Sequence, residues 1–146
     1  MSDSGLQAVI DELAVRRVLD EYCLRLECDA FESWLDLFTE DTVYEVFRMT
    51  LTGRTELAQV ISQAPHGTHI GGAARIAITG DTAVTIQNYA FVSTSTDEWN
   101  VGWYRRLLVR TDTGWKIAHT KVKIGRKGDL PEDERARGVG YPINFD

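Results

Sequence analysis

Residues Tyr22 to Phe47 read YCLRLECDAFESWLDLFTEDTVYEVF, and this stretch predicts how the rest of the chain is arranged. It has the pattern of the end of one helix, a second short helix and then a strand. Its first half sets a tyrosine and two carboxylates (Tyr22, Glu27 and Asp29) among apolar residues, and its second half is aromatic and aliphatic around Trp34. A few polar groups enclosed by apolar side chains are typical of the inner end of a small pocket. We therefore expect the remaining elements to form the wall around it.

The helical part of the chain is marked by apolar periodicity. One stripe recurs at steps of three and four residues in the first helix: Leu6, Val9, Ile10, Leu13, Val18, Leu19, Tyr22 and Leu26. Asp29, with Glu32 three residues later, predicts the cap of a second helix that reaches about Phe38. A strand over Thr42–Met49, a break at Gly53 and a third helix capped by Thr55 complete this half.

After Pro65 the pattern changes to period two. The turns at Gly80-Asp81 and Asp112-Thr113 predict two hairpins. Four strands flank them: His69–Ile78, Ala83–Ser95, Asn100–Arg110 and Trp115–Ile124. The order α-α-β-α followed by four long antiparallel strands predicts one α+β domain with its helices on one face of a sheet. From Arg126 onward the composition predicts a C-terminal tail, which is either mobile or docked through its apolar end at 141–145.

The composition indicates which binding partners and which cellular location to expect. A chain of 146 residues is one ordinary domain, and a net charge of −6 with interspersed signs argues against nucleic acid as a partner. There is neither a long apolar run nor a basic and apolar N-terminus, so we expect no membrane span and no secretory signal. Cys23 and Cys28 lie too close together for a framework disulfide. We expect reduced thiols and a cytoplasmic protein.

Three strand faces are mostly apolar with one polar interruption each: Asn88, Arg105 and His119. These faces are Val84, Ile86, Asn88, Ala90 and Val92; Val101, Trp103, Arg105, Leu107 and Val109; and Trp115, Ile117, His119 and Lys121. A buried polar group needs a partner, since leaving it unpaired costs roughly 1–3 kcal/mol. Either the three polar residues line a polar-bottomed cavity, or these faces meet solvent or a second subunit.

His69 is the candidate base, because it begins a strand and small residues follow it in the segment HIGG. Histidine titrates near pH 6.5 and is suited to proton transfer at neutral pH; the alternative is a hydrogen-bonded structural histidine. Glu27 and Asp29 lie at the end of a helix, where the dipole raises a carboxylate pKa, although Asp29 also has a capping role. His66 and His69 have the spacing of two metal ligands but no evident third, so we expect no metal.

A family resemblance rests on Tyr22 and on three longer segments: FESWLDLFTEDTVY, HIGGAARIAITGDTAV and GWYRRLLVRTDTGWKI. Together with the order of elements, they resemble the SnoaL-like branch of the nuclear-transport-factor-2-like superfamily over about residues 6 to 125. That branch includes scytalone dehydratase, bile-acid dehydratase, hexachlorocyclohexane dehydrochlorinase and polyketide cyclases. The resemblance implies a cone-shaped α+β fold, in which a curved sheet wraps helices around a deep apolar pocket, commonly in a homodimer or homotrimer.

Several enzymes of this branch use a His–Asp pair, often with a tyrosine, and neither a metal nor an organic cofactor. By resemblance, His69 is the base and Tyr22 polarises a substrate oxygen; the family aspartate falls on Glu27, or on Asp29 after a small shift. The implied function is a cofactor-independent lyase or isomerase, of the dehydratase or cyclase type, that acts on a small apolar cyclic substrate. The residues expected to line its pocket are Asp29, Trp34, Asn88, Trp103, Tyr104 and His119.

A second resemblance implies a different function. The pattern WLxLFxxDxxY, which starts at Trp34, is similar to the β subunits of aromatic-ring-hydroxylating dioxygenases. Those subunits share the fold but are structural partners of a catalytic α subunit. The alternative reading is therefore a non-catalytic ligand-binding or assembly subunit.

Overall fold

The computed structural model describes residues 3–27 and 30–129. Three helices and six strands follow one another along them: α1 Asp3–Glu27, α2 Phe31–Leu35, β1 Phe38–Val46, β2 Met49–Thr52, α3 Gly53–Ile61, β3 Gly67–Thr79, β4 Thr82–Ser93, β5 Glu98–Thr111 and β6 Gly114–Asp129. This order confirms the predicted α+β class, including the four long strands that end the described chain.

The six strands form one curved, unclosed sheet in the order β2-β1-β6-β5-β4-β3. β1 runs parallel to β6, and every other neighbouring pair is antiparallel. Helix α1 packs against β3 and β6, and α3 packs against β1 and β2. We call the face of the sheet that α1 covers the inner face, and the opposite one the outer face. The buried core lies between α1, α2 and the inner face.

The element boundaries differ from the prediction around β1. The second helix ends at Leu35, and β1 already begins at Phe38. The chain then reverses at Phe47 and Arg48 to form β2, which sequence analysis had merged with β1. Phe47 adopts φ 54°. Such a backbone normally selects Gly or Asn, so a phenylalanine there carried no turn signal.

The last strand also extends further than expected. Residues 126–129, which were assigned to the tail, pair with β5 as part of β6. The remainder of the predicted tail, with its apolar end at 141–145, lies outside the described residues.

The buried face of α1 differs from the predicted stripe in its N-terminal half. Leu6, Val9, Ile10 and Leu13 are 47–61% exposed, whereas Asp11 is 8% exposed. The Asp11 carboxylate accepts two hydrogen bonds from the Arg110 guanidinium, at 2.9 and 2.8 Å. A two-point ion pair to the end of β5 turns the polar side of this helical segment toward the sheet. Its apolar residues therefore face outward. Within the described residues, no helix is long and apolar enough to cross a membrane.

Strand β6 contains a bulge, and because of it the side chains of this strand do not all lie on the predicted faces. Leu108 pairs with Ile117 and the preceding residue, Leu107, pairs with His119, so Ala118 is an extra residue in β6. An extra residue moves every later side chain to the other face. Ile117 and Thr120 are consequently buried on the inner face, and His119 lies on the outer face.

Candidate functional site

Two tyrosine hydroxyls meet on the inner face. Tyr22 of α1 and Tyr44 of β1 are 2% and 4% exposed, and their hydroxyl oxygens are 2.6 Å apart. Burial raises the pKa of both phenols, so both stay protonated at neutral pH. One hydrogen lies in the bond between the two oxygens, and the other can be donated to a third oxygen.

Aromatic side chains surround this hydroxyl pair. The rings of Trp34 and Tyr104 lie 5.4 and 5.3 Å from the ring of Tyr22, and Tyr89 stacks on Tyr104 at 4.4 Å. Trp34 is fully buried, and its indole N–H has no hydrogen-bond partner among the described residues. The structure therefore brings two of the predicted pocket residues, Trp34 and Tyr104, into contact with Tyr22.

Arg106 of β5 is the main feature that sequence analysis missed. Its side chain is 1% exposed, and its guanidinium carbon lies 4.2 and 4.0 Å from the ring centres of Tyr22 and Tyr104. Nη1 donates a hydrogen bond to Gln87 Oε1 at 3.1 Å. Nε and Nη2 have no partner in the described part of the chain. A charged group is thus enclosed mainly by aromatic rings.

Arg106 belongs to a row of polar residues across the inner face. Thr85 of β4 pairs directly with Arg106, Arg106 pairs with Thr120 of β6, and Thr120 pairs with Tyr44 of β1. We call these four residues the polar row. Both threonines are fully buried, and neither hydroxyl has a partner among the described residues. Hydrogen-bonding capacity is therefore left over in the middle of the core, which is uncommon in a purely structural interior.

His69 lies near the start of β3, with its ring 4.7 Å from the ring of Phe91. Its Nδ1 is buried and has no partner among the described residues. Burial, and after it the positive charge of Arg106, lower the pKa of His69 to about 4. The imidazole is therefore neutral at pH 7, with a nitrogen able to take up a proton.

Glu27 reaches His69 through the backbone rather than through the ring. Its Oε1 accepts a hydrogen bond from the His69 backbone N–H at 2.5 Å. This contact joins the end of α1 to the start of β3. The second predicted carboxylate, Asp29, lies outside the described residues, so its distance from the imidazole stays a prediction.

The glycine that follows His69 by two residues allows close packing at this point. A Cβ on Gly71 would lie 2.8 Å from Gln87 Nε2 and 3.3 Å from Cys23 Sγ. Gln87, whose side-chain oxygen accepts from Arg106, also donates a hydrogen bond to the Gly72 carbonyl at 3.4 Å. The small residues after His69 thus let β3 lie against the side chain that orients Arg106.

Asn88, Trp103 and His119 are not part of this arrangement. Asn88 and Trp103 border a groove of about 380 Å³ on the outer face, and Trp103 is 47% exposed. His119 Nε2 lies 2.6 Å from Glu45 Oε2, also on the outer face. The sheet itself separates these three residues from Tyr22. For Asn88 and Trp103, the structure corresponds to the alternative expectation that their face meets solvent or another subunit.

Two of the missed residues share one cause. Gln87 and Arg106 lie on the more polar alternation of β4 and β5, whereas the apolar alternation was predicted to face the cavity. Their signal was present, since Thr85, Gln87 and Tyr89 alternate in β4 just as Tyr104 and Arg106 do in β5. Tyr44 lies in β1, for which no cavity face was predicted.

Within the described residues, no group of three or more His, Cys, Asp and Glu side chains is arranged to hold a metal ion.

Comparison with protein families gives one match. The family model described as a SnoaL-like domain matches residues 7–121, which is most of the chain. No curated protein matches the chain in sequence.

Solved structures with the same architecture were also found. A nuclear-transport-factor-2-like protein with a cystatin-like fold from Novosphingobium aromaticivorans has a TM-score of 0.75 at 22% identity, covering 91% of this chain and 92% of that one. A candidate scytalone dehydratase from the same organism has a TM-score of 0.75 at 20% identity, covering 90% and 93%. A hexachlorocyclohexane dehydrochlorinase (LinA type 3) from Novosphingobium barchaimii has a TM-score of 0.79 at 13% identity, covering 88% and 95%. At these identities the likeness establishes the fold.

Proposed function

Because the chain belongs to the SnoaL-like domain family, we propose that it is a cofactor-independent lyase or isomerase that acts on a small cyclic substrate by general acid–base catalysis. One observation carries this proposal: the neutral His69 ring has a buried Nδ1 without a partner among the described residues, and His69 lies on the same inner face as the Tyr22–Tyr44 hydroxyl pair. A base and a hydroxyl donor on one enclosed surface are what proton abstraction next to a carbonyl requires.

The proposed reaction begins with proton transfer to His69. The imidazole takes a proton from a substrate carbon, and the electron pair of the broken C–H bond moves toward the neighbouring carbon. In an elimination this pair forms a C=C bond while the C–O bond to a hydroxyl on the neighbouring carbon breaks. That hydroxyl accepts the proton from the imidazolium and leaves as water. In an isomerisation the imidazolium returns its proton to a different carbon. Both outcomes leave the protein unchanged.

Tyr22 and Glu27 support this step in different ways. Tyr22, held 2.6 Å from Tyr44, donates its hydrogen to a substrate oxygen on which negative charge develops. Glu27 fixes the His69 backbone and thereby positions the ring. Asp29 is the carboxylate that we propose as the partner of the imidazolium, since Glu27 is engaged with the backbone. Trp34 and Tyr104 form the apolar wall on which the substrate ring rests.

We also propose that the protein is a cytoplasmic homo-oligomer, a dimer or a trimer, joined through the outer face. Six apolar side chains on that face are 37–56% exposed: Ile70, Val84, Ile86, Val92, Val101 and Trp103. Several exposed apolar side chains on one face of a sheet are typical of an interface between subunits. It lies on the opposite side of the sheet from His69, so association would leave the site open.

The second candidate is a non-catalytic assembly subunit. The observation that favours it is the exposed apolar strip on α1, formed by Leu6, Val9, Ile10 and Leu13. Such a strip could bind a larger partner. Stable co-purification with one catalytic protein of the same source, together with absence of turnover by the isolated chain, would identify this function instead.

The proposed activity is tested with a panel of cyclic alcohols and ketones, by following dehydration in the ultraviolet and isomerisation by NMR. We expect His69→Gln to lower kcat on any substrate found by roughly 10²–10⁴-fold, the usual contribution of a general base. His66→Gln is the matched control, because His66 is exposed and lies three residues earlier. Equal rates for wild type and His69→Gln would exclude His69 as the base.

A further inference from the structure

The buried charge of Arg106 is not explained by the proton-transfer steps above. Its guanidinium is 1% exposed, yet it takes part in no ion pair within the described residues. An ionised group in a protein interior is strongly disfavoured unless an opposite charge or a full set of hydrogen bonds compensates it. Here one bond to Gln87 and two ring contacts are the compensation that the described residues provide.

Two acidic side chains of α1, the helix that covers the inner face, are engaged elsewhere. Asp11 is bound by Arg110, and Glu27 by the His69 backbone. The phenols around Arg106 are kept neutral, because burial raises the pKa of Tyr22, Tyr44 and Tyr104. Among the described residues, Arg106 is therefore a buried positive charge without an ion-pair partner.

The geometry of the unpartnered atoms is specific. Nε and Nη2 are the two nitrogens on one edge of the guanidinium, and neither has a partner among the described residues, while Nη1 on the other side binds Gln87. This edge is the fork that binds a carboxylate through two parallel N–H···O bonds. Thr85 and Thr120 flank Arg106 on the neighbouring strands, and in the described part of the chain their hydroxyls also have no partner. Each can donate a further hydrogen bond to an oxyanion.

From these observations we propose that the polar row is a binding site for a ligand carboxylate, held by the Nε–Nη2 edge of Arg106 and by the hydroxyls of Thr85 and Thr120. This inference rests on the proposed function and names its substrate class: a cyclic carboxylic acid, with the carboxylate at Arg106 and the acidic C–H bond toward His69. The charge of Arg106 acts at His69, since it is the second cause of the lowered pKa of that ring. A carboxylate bound at Arg106 therefore changes the pKa of His69.

The proposed entry route for the ligand is the contact between α1 and β3 beside His69. His69 is half-buried and Glu27 is exposed, and a single carboxylate–amide bond joins them where α1 meets β3. Because Arg106 is closed to solvent, binding requires the interior to open, and we propose that it opens at this junction. Entry there brings the ligand past the His69 ring before it reaches the polar row.

The test compares Arg106→Gln with Arg105→Gln, a matched pair in which the control side chain is exposed on the outer face. Benzoate and cyclohexanecarboxylate serve as probes, benzamide as the neutral analogue, at constant ionic strength and pH 7, with binding followed by calorimetry and by the shift in Tm. We expect both carboxylates to bind wild type and Arg105→Gln, and to bind Arg106→Gln about 10- to 100-fold more weakly, the loss typical of a charge-assisted hydrogen bond. Benzamide should not distinguish the three proteins.

A structural role for Arg106 predicts a different result. Without ligand, we expect Arg106→Gln to be as stable as wild type or more so, because an uncompensated buried charge is removed; a structural arginine would lower Tm on substitution. If Arg106→Gln does not fold, Arg106→Lys keeps the charge without the fork and should still bind benzoate more weakly than wild type. The proposal is overturned if no carboxylate binds wild type, or if benzoate binds wild type and the Arg106 variant equally.

The two proposals fail in distinguishable ways. Carboxylate binding that depends on Arg106, without any turnover, supports the anion site and removes the enzyme assignment. Turnover of uncharged cyclic ketones at equal rates by wild type and Arg106→Gln keeps the enzyme assignment and overturns the carboxylate class.

Discussion

At the scale of single residues, the site depends on the protonation state of His69. A neutral imidazole can accept a proton, and an imidazolium cannot. The two causes that lower its pKa, burial and the charge of Arg106, both belong to the fold rather than to the residue. The same histidine in an unfolded chain would titrate near its ordinary value of 6.5. The fold therefore turns an ordinary histidine into a base that stays neutral well below pH 7.

We expect the His69 ring to titrate at about 4 when its carbon-bound protons are followed by NMR between pH 3 and 8. Because the folded pKa lies below 6.5, the unfolded chain binds the proton first. Burying neutral His69 therefore has no pH-dependent cost above about pH 6.5, and the folded protein loses stability as the pH falls toward 4. In Arg106→Gln, and in wild type saturated with benzoate, the pKa of His69 should rise. An unperturbed value near 6.5 in wild type would show that the ring is solvated.

Residue identities were partly readable from the sequence. Tyr22, Trp34, Tyr104 and His69 were all named, because an aromatic residue within an apolar stripe or a histidine at a strand start is locally conspicuous. Arg106 was not, although it stands beside Arg105. Which of two adjacent arginines points inward depends on strand register, and both faces of β5 carry apolar residues.

At the scale of helices and strands, the sequence predicted the features that depend on neighbouring residues, such as the hairpin turns. The two hairpin turns lie at Gly80 and Gly114, both with positive φ, and the four strands around them form as expected. The parallel pairing of β1 with β6 joins residues about 75 positions apart, and the bulge at Ala118 depends on the register of β6 against β5; neither left a local signal. The bulge explains why His119 was assigned to the pocket and lies instead beside Glu45.

The ion pair between α1 and the end of β5 offers a test at this scale. Asp11→Asn should lower Tm more than Asp81→Asn, since Asp11 accepts two hydrogen bonds from Arg110 and the exposed Asp81 accepts one from its side chain. The bond to Arg110 is also the largest cause that lowers the pKa of Asp11 below 3.8. The ion pair therefore stabilises the folded protein fully above pH 3.8, and this stabilisation is lost as the pH falls through the lowered pKa of Asp11.

Thermal unfolding at pH 7 and near pH 3 measures this contribution. The gap between wild type and Asp11→Asn should narrow at the lower pH. If Asp81→Asn has the larger effect at pH 7, the contact of α1 with the sheet does not depend on this ion pair.

At the scale of the whole molecule, the sheet has two surfaces with different roles. Its inner face encloses the polar row and His69, and its outer face exposes apolar side chains. We expect Ile86→Glu, on the outer face, to shift the protein from oligomer to monomer in size-exclusion chromatography with light scattering, because it buries a charge in the interface. Leu13→Glu is the control, since Leu13 is 61% exposed on α1. If the wild type is monomeric, or if only Leu13→Glu causes dissociation, the outer face is not a subunit interface.

The measurement that tests the central claim most directly is deuterium exchange into substrate carbon, because it isolates proton abstraction from any leaving group. Cyclic ketones with and without a carboxylate are incubated in D₂O with wild type or His69→Gln, and loss of the C–H signal is followed by NMR. We predict catalysed exchange by wild type, faster for the keto acids, and a roughly 10²–10⁴-fold loss in His69→Gln. Exchange at the buffer rate for every ketone, or equal exchange by both proteins, would contradict the assignment of the inner face as an acid–base site.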